Sequence, residues 1–133
     1  MNNIKKKINK IKKMNLNGKM DWEIDYFELD NVFQDEKGNI VRPLLLVIVH
    51  PESYYVIGTH LVSPFGDYLP EFLEKILDYI EKSEFCPGKI LVKKSELFTS
   101  LKDILKDLNI RLELIKRTKS VESFKKESKK FFK

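Results

Sequence analysis

Leu44-Leu45-Leu46-Val47-Ile48-Val49 is an unbroken apolar run, closed by the turn residues His50-Pro51-Glu52-Ser53. It is far too short to cross a bilayer, and its bounded, branched-residue character reads as a strand buried on both faces. The strand spans Ile40 to Val49, with Pro43 near its start, where a missing ladder donor is tolerated. Upstream, Asp35-Glu36-Lys37-Gly38-Asn39 reads as a turn in which Gly38 supplies the positive φ of a tight reversal. Before it, Trp22 to Leu29 alternates in the manner of a strand and is rich in aromatic residues. After Ser53, Tyr54 to Val62 is a third strand. The short connections make these three an antiparallel meander.

The rest of the chain changes period. From about Asp67 to Lys82, Leu69, Phe72, Leu73, Ile76 and Ile80 form a helical stripe, with Asp67 as the expected N-cap. Pro87-Gly88 leads into a short strand, Lys89 to Lys93, of the type found in parallel pairs. Ser95 is the expected cap of a second helix carrying Leu97, Leu101, Ile104, Leu105 and Leu108, and Asn109 is its stop. Ile110 to Ile115 is a fifth strand, and Ser120 is the expected cap of a last helix with Val121, Phe124, Phe131 and Phe132 as apolar positions. At the other end, Ile4, Ile8 and Ile11 give residues 3–14 the pattern of a short amphipathic helix that docks on the domain or on a partner. The predicted architecture is therefore α/β: a mixed five-stranded sheet, three strands antiparallel and then two parallel, with helices on both faces and a short N-terminal helix. Residues 1–20 form a basic helix and linker, and 21–133 a single domain.

The 133 residues are 42% hydrophobic and 34% charged, so the chain can bury a core and wholesale disorder is excluded. No apolar run reaches membrane-spanning length, and lysines interrupt the apolar positions of the N-terminus where a secretory leader needs continuity. With one cysteine, Cys86, no internal disulfide is available, which fits a reducing, cytoplasmic compartment. The net charge of +5 is unevenly spread: residues 1–20 hold seven lysines and no acid, and 116–133 hold eight basic residues against Glu122 and Glu127. The remaining middle is acidic. Lysine outnumbers arginine 22 to 3 and alanine is absent, a bias that an AT-rich genome alone produces. The clustering at the ends is more specific, and makes Lys5, Lys6, Lys7, Lys12, Lys13, Lys125, Lys126, Lys129 and Lys130 the candidate contacts to nucleic acid or an acidic protein partner.

The element order resembles the RNase H-like fold of RNase H, retroviral integrases and DDE transposases. Trp22-Glu23-Ile24-Asp25 looks like the Trp-x-x-Asp of a transposase first strand, Leu46 to Ser53 resembles the end of its second strand and the following turn, and Pro87-x-x-Ile90 looks like the lead-in to its fourth. The likeness extends from residue 21 to about 132. It is shared with small uncharacterised bacterial domains, from which no activity carries over.

In that family two metal ions, Mg²⁺ or Mn²⁺, are held by converging carboxylates. Asp25 matches the first-strand ligand. At the fourth-strand position, where the resemblance calls for Asp, the chain has Lys93 with Lys94 beside it, and an ammonium repels a divalent cation. Glu127, or Glu122, is the candidate third ligand from the last helix, and Glu96 an alternative. The charge inversion favours a structural Asp25, solvated or paired with a lysine such as Lys93, and no resident metal or cofactor.

Other constellations are weaker. His50 and His60 lie ten residues apart without a metal-ligand pattern, and read as ordinary surface or core histidines. Cys86 has no His nearby in sequence, and no Gly-x-Ser-x-Gly or phosphate-binding glycine pattern occurs. The leading expectation is a non-catalytic RNase H-like binding or regulatory module that uses its basic ends. The alternatives are a divergent metal-dependent nuclease or transposase-derived enzyme working through Asp25 and Glu127, and a non-catalytic nucleic-acid-binding domain.

Overall fold

The computed structural model describes residues 2–14, 18–30, 32–34, 36–64, 67–83 and 87–128. In chain order the elements are α1 (Asn2–Lys13), β1 (Met20–Glu28), β2 (Phe33–Gln34), β3 (Ile40–Val41), β4 (Leu44–His50), β5 (Tyr55–Val62), α2 (Tyr68–Lys82), β6 (Pro87–Val92), α3 (Ser95–Asp107), β7 (Arg111–Leu114) and α4 (Lys119–Ser128). Five strands form one sheet in the order β5-β4-β1-β6-β7. The first three are antiparallel neighbours, and β6 and β7 run parallel to β1. The α/β class and the mixed five-stranded sheet expected from the sequence are both present.

The expected strand from Ile40 to Val49 is broken. Ile40–Val41 instead pairs with Phe33–Gln34 in a separate two-stranded ribbon, and the sheet strand begins at Leu44. Arg42-Pro43 is the break, for a physical reason: Pro43 has no N–H to give to a ladder, while its carbonyl accepts from Leu29 N at 2.9 Å. The turn at Gly38 has the positive φ, 84°, that the sequence called for. Asn109, at φ 57°, ends α3 in the left-handed conformation.

The two faces of the sheet differ. Trp22, Ile24 and Tyr26 of β1, with Leu46 and Ile48 of β4, pack against Phe72, Ile76, Leu77 and Ile80 of α2 and Leu97, Leu101 and Leu105 of α3. Ile11 of α1 joins this core, with Ile4 and Ile8 half-buried beside it. On the opposite face Leu29, Leu45, Val47 and Val49 meet Val121 and Phe124 of α4. Helices therefore cover both faces. The alternate residues of β1 on the α4 side are Glu23 and Asp25, both 4% exposed. Two buried acids on a central strand need partners, since an unpaired buried carboxylate is strongly disfavoured.

Asp67 is the N-cap residue of α2, as expected, though without a side-chain capping bond. The expected cap of α3 is corrected: its N-cap is Lys94, so Ser95 is already helical. The start of α4 is served by neither Thr118 nor Ser120, but by a carboxylate from the sheet.

Candidate functional site

The partners of the two buried acids create the site. Glu23 Oε1 accepts from the backbone N–H groups of Ser120, at 2.9 Å, and Val121, at 3.2 Å. Asp25 is held by both oxygens. Oδ1 accepts from Tyr26 N and from Lys94 Nζ, each at 2.9 Å. Oδ2 accepts from the Thr118 hydroxyl at 2.9 Å and lies 3.6 Å from Lys93 Nζ. The pairing of Asp25 with Lys93 expected from the sequence is present, and Lys94 approaches more closely still. Both lysines follow directly on β6, whose parallel pairing with β1 brings them to the side chain.

Above Asp25 opens a cleft of about 320 Å³, lined by Asp25, Tyr26, Phe27, Glu28, Leu44, Lys93, Lys94, Val121, Glu122 and Lys125. It lies outside the carboxyl ends of β1 and β6. From these two strands the chain departs in opposite directions across the sheet, to β4 and to β7. Such a divergence leaves a crevice in open α/β sheets, and ligands bind there. Two of the three lysines of the cleft sit on aromatic faces: Lys94 Nζ is 4.9 Å from the Tyr26 ring centroid, and Lys125 Nζ 5.1 Å from that of Phe27.

A polar network continues to the other sheet face. The Tyr26 hydroxyl donates to Glu96 Oε2 at 2.8 Å and lies 3.5 Å from the Tyr68 hydroxyl. Burial first, and then these two partners, push the ionisation of Tyr26 well above its ordinary range. The Glu96 carboxyl is held below its usual value, chiefly by a backbone N–H of its own residue and then by Tyr26. At the rim, Arg117 grips Glu122 through Nη2 at 2.7 Å and Nε at 3.3 Å, which lowers the Glu122 carboxyl and raises the guanidinium.

The other candidates are dispersed. Glu127 lies exposed near the end of α4, outside the lining of the cleft, and Glu96 is tied to Tyr26. Among the described residues no three His, Cys, Asp or Glu side chains converge to hold a metal ion. His50 Nδ1 is 2.7 Å from Ser53 Oγ, and His60 Nε2 is 2.5 Å from Glu71, so the two histidines belong to separate local pairs. On α1, Lys7 pairs with Asp78, Lys10 with Glu81 at 2.7 Å and Lys12 with Asp107 at 3.8 Å. Lys5, Lys6 and Lys13 are exposed, as is Lys126, whereas Lys125 reaches the cleft. Cys86, Phe65, Lys129, Lys130, Phe131 and Phe132 lie outside the described residues. Glu23, Tyr26 and Thr118 were not singled out from sequence. Glu23 did leave a trace, since two acids two residues apart on a strand share a face.

The family described as "Domain of unknown function (DUF6930)" matches residues 7–128. The chain belongs to the DUF6930 family. The match covers every element that builds the cleft of this DUF6930 domain, from β1 to α4, together with most of α1. No curated protein matches the sequence significantly. No helix among the described residues is long and apolar enough to cross a membrane.

Proposed function

We propose that this DUF6930 chain is a non-catalytic binding module on an RNase H-like sheet, with the lysine-lined cleft as its binding site. The strand order β5-β4-β1-β6-β7, with the first carboxylate on the central strand and α4 on the far face, supports the RNase H-like reading. The observation that carries the non-catalytic reading is the saturation of Asp25. Each of its oxygens already has one hydrogen-bond donor and one ammonium group, and a metal ligand needs an oxygen free of such partners. The ammonium groups of Lys93 and Lys94 line the cleft beside Asp25 and repel a cation there. α1 turns Lys7, Lys10 and Lys12 toward acids of α2 and α3, which moves the centre of the reading from the basic ends to the cleft.

The test is a Mn²⁺ titration followed by calorimetry, run beside a denaturing gel of DNA and RNA incubated with protein and Mn²⁺. No stoichiometric Mn²⁺ uptake and intact probes are expected. Two bound ions, with cleavage that Asp25→Asn abolishes, would establish the nuclease in place of the binding module.

A further inference from the structure

We infer that the cleft takes the phosphate group of a small phosphorylated molecule, seated among Lys93, Lys94 and Lys125. The inference rests on the binding-module reading and names the ligand class of the same cleft.

The first support is a charge balance. Three lysines line the cleft against Asp25, Glu28 and Glu122. Glu122 is committed on both oxygens to Arg117, and Glu28 lies 3.9 Å from Arg42, so these two acids face arginines that are not part of the lining. Asp25 is then the lining carboxylate in direct contact with ammonium groups, those of Lys93 and Lys94, while Glu122 acts on Lys93 and Glu96 on Lys94 from further off. Asp25 sits on the floor, its side chain 5% exposed, while the side chains of Lys93 and Lys94 are 36% and 26% exposed. The carboxylate contacts both lysines and leaves each with further N–H donors. An ammonium carries three donors, and a single contact to Asp25 uses one.

The second support is the start of α3. Its N-cap is Lys94, which supplies no side-chain acceptor to the first turn. The thirteen-residue helix thus begins at a residue that lines the cleft, and the Glu96 carboxylate of its first turn, on its own backbone N–H, answers one of the N–H groups there. Third, Lys125 has no carboxylate partner within ion-pair distance among the described residues, and its contact is the Phe27 ring. A compact dianion suits a cleft lined by three point charges, as phosphate does with lysine. The volume, about 320 Å³, suits a small phosphate monoester and is at the low end of ligand pockets.

The experiment uses the full chain without metal, at constant ionic strength. Inorganic phosphate, phenyl phosphate and a short single-stranded DNA are titrated in turn, with the backbone amide shifts of residues 93–97 and 121–125 as readout. Saturable shifts at these amides with phosphate and phenyl phosphate are expected, weakened about tenfold in Lys125→Gln and in Lys93→Gln, and unchanged in Lys5→Gln. Thermal melts of the variants confirm that they are folded. Absence of saturable shifts with millimolar phosphate, or equal affinity in folded Lys125→Gln, would overturn the inference. DNA binding far tighter than phenyl phosphate at the same amides would also overturn it, in favour of a polymer groove. Mn²⁺-dependent cleavage sinks the non-catalytic reading alone, because phosphate binding is read here without metal.

Discussion

Glu23 and Ser120 are 97 residues apart in sequence, and the carboxylate of one holds the backbone N–H of the other at 2.9 Å. The same oxygen takes the N–H of Val121, so a side chain of the central strand terminates the last helix. Helix starts leave N–H groups without intrahelical partners, and a carboxylate there also meets the favourable end of the helix dipole. The usual cappers at this point are unavailable, because the Thr118 hydroxyl is turned to Asp25. Glu23→Ala leaves two buried N–H groups unpaired and is expected to cost about 2–3 kcal/mol, against about 1–2 kcal/mol for Glu23→Gln, which keeps an acceptor without the charge. Urea unfolding of both variants gives the comparison. Equal losses would show that an acceptor without the charge contributes nothing, and a Glu23→Gln protein as stable as the parent would show that the charge contributes nothing.

Ser120 makes the opposite prediction. From sequence it reads as an N-cap, and removing a serine cap costs about 1 kcal/mol. In the structure Ser120 is 2% exposed and its hydroxyl is buried without a hydrogen-bond partner among the described residues. Removing an unsatisfied buried hydroxyl is neutral or favourable, so Ser120→Ala is expected to leave stability unchanged or raise it by up to about 1 kcal/mol. A loss of the size of a true cap, in the same urea measurement, would overturn the assignment of Glu23 as the capping group.

These two residues show where the sequence was legible. Hydrophobic period placed β1, β4, β5 and the helices, because burial is spread over many residues and survives local error. The ribbon of Phe33–Gln34 with Ile40–Val41 was not visible, being only two residues on each side. Asp25 could be matched to a strand position and Lys93 to its partner. The contribution of Thr118 could not, since it depends on α4 crossing the sheet 93 residues later. Lysine clusters were legible as clusters only. Which lysines face acids of a neighbouring helix and which face a cleft is decided by docking, as the contrast between Lys7 and Lys125 shows.

Alkaline stability follows from Tyr26 and Lys7. Both have folded-state ionisations raised above their ordinary values of 10.0 and 10.5, Tyr26 mainly by burial and Lys7 mainly by its bond to Asp78. A raised group contributes stability that is complete below its unfolded value and is lost as pH climbs toward the folded one. The urea midpoint is therefore expected to hold up to about pH 10 and to fall steadily above it. Tyr26→Phe keeps the ring contacts to Tyr68 and Phe72, at 5.6 and 5.2 Å, while removing the ionisation. It should flatten the alkaline slope although it lowers stability at neutral pH by the loss of the bond to Glu96. An unchanged slope in the variant would remove Tyr26 as its source.

Two glycines test close packing by contrast. A Cβ at Gly88 would stand 2.5 Å from the carbonyl oxygen of Gly18 and 3.3 Å from Lys19 Cα, both backbone atoms of the approach to β1. At Gly58 it would meet Tyr79 ring atoms at 2.2 to 2.6 Å, the far end of a side chain. The Tyr79 ring can swing away at the loss of its bond to the Thr59 carbonyl, 3.1 Å long, but the approach to β1 can move only by disturbing the β1–β6 pairing that aligns Lys93 and Lys94 with Asp25. Gly88→Ala is therefore expected to cost about 3 kcal/mol and Gly58→Ala about 1 kcal/mol. Because the Gly58 clash is with one side chain, Gly58→Ala combined with Tyr79→Ala should cost less than the two single changes added together. Strict additivity in that cycle would mean that the ring does not set the limit at Gly58. A Gly88→Ala protein as stable as the parent would mean that the β1 approach yields freely and does not fix the floor of the cleft.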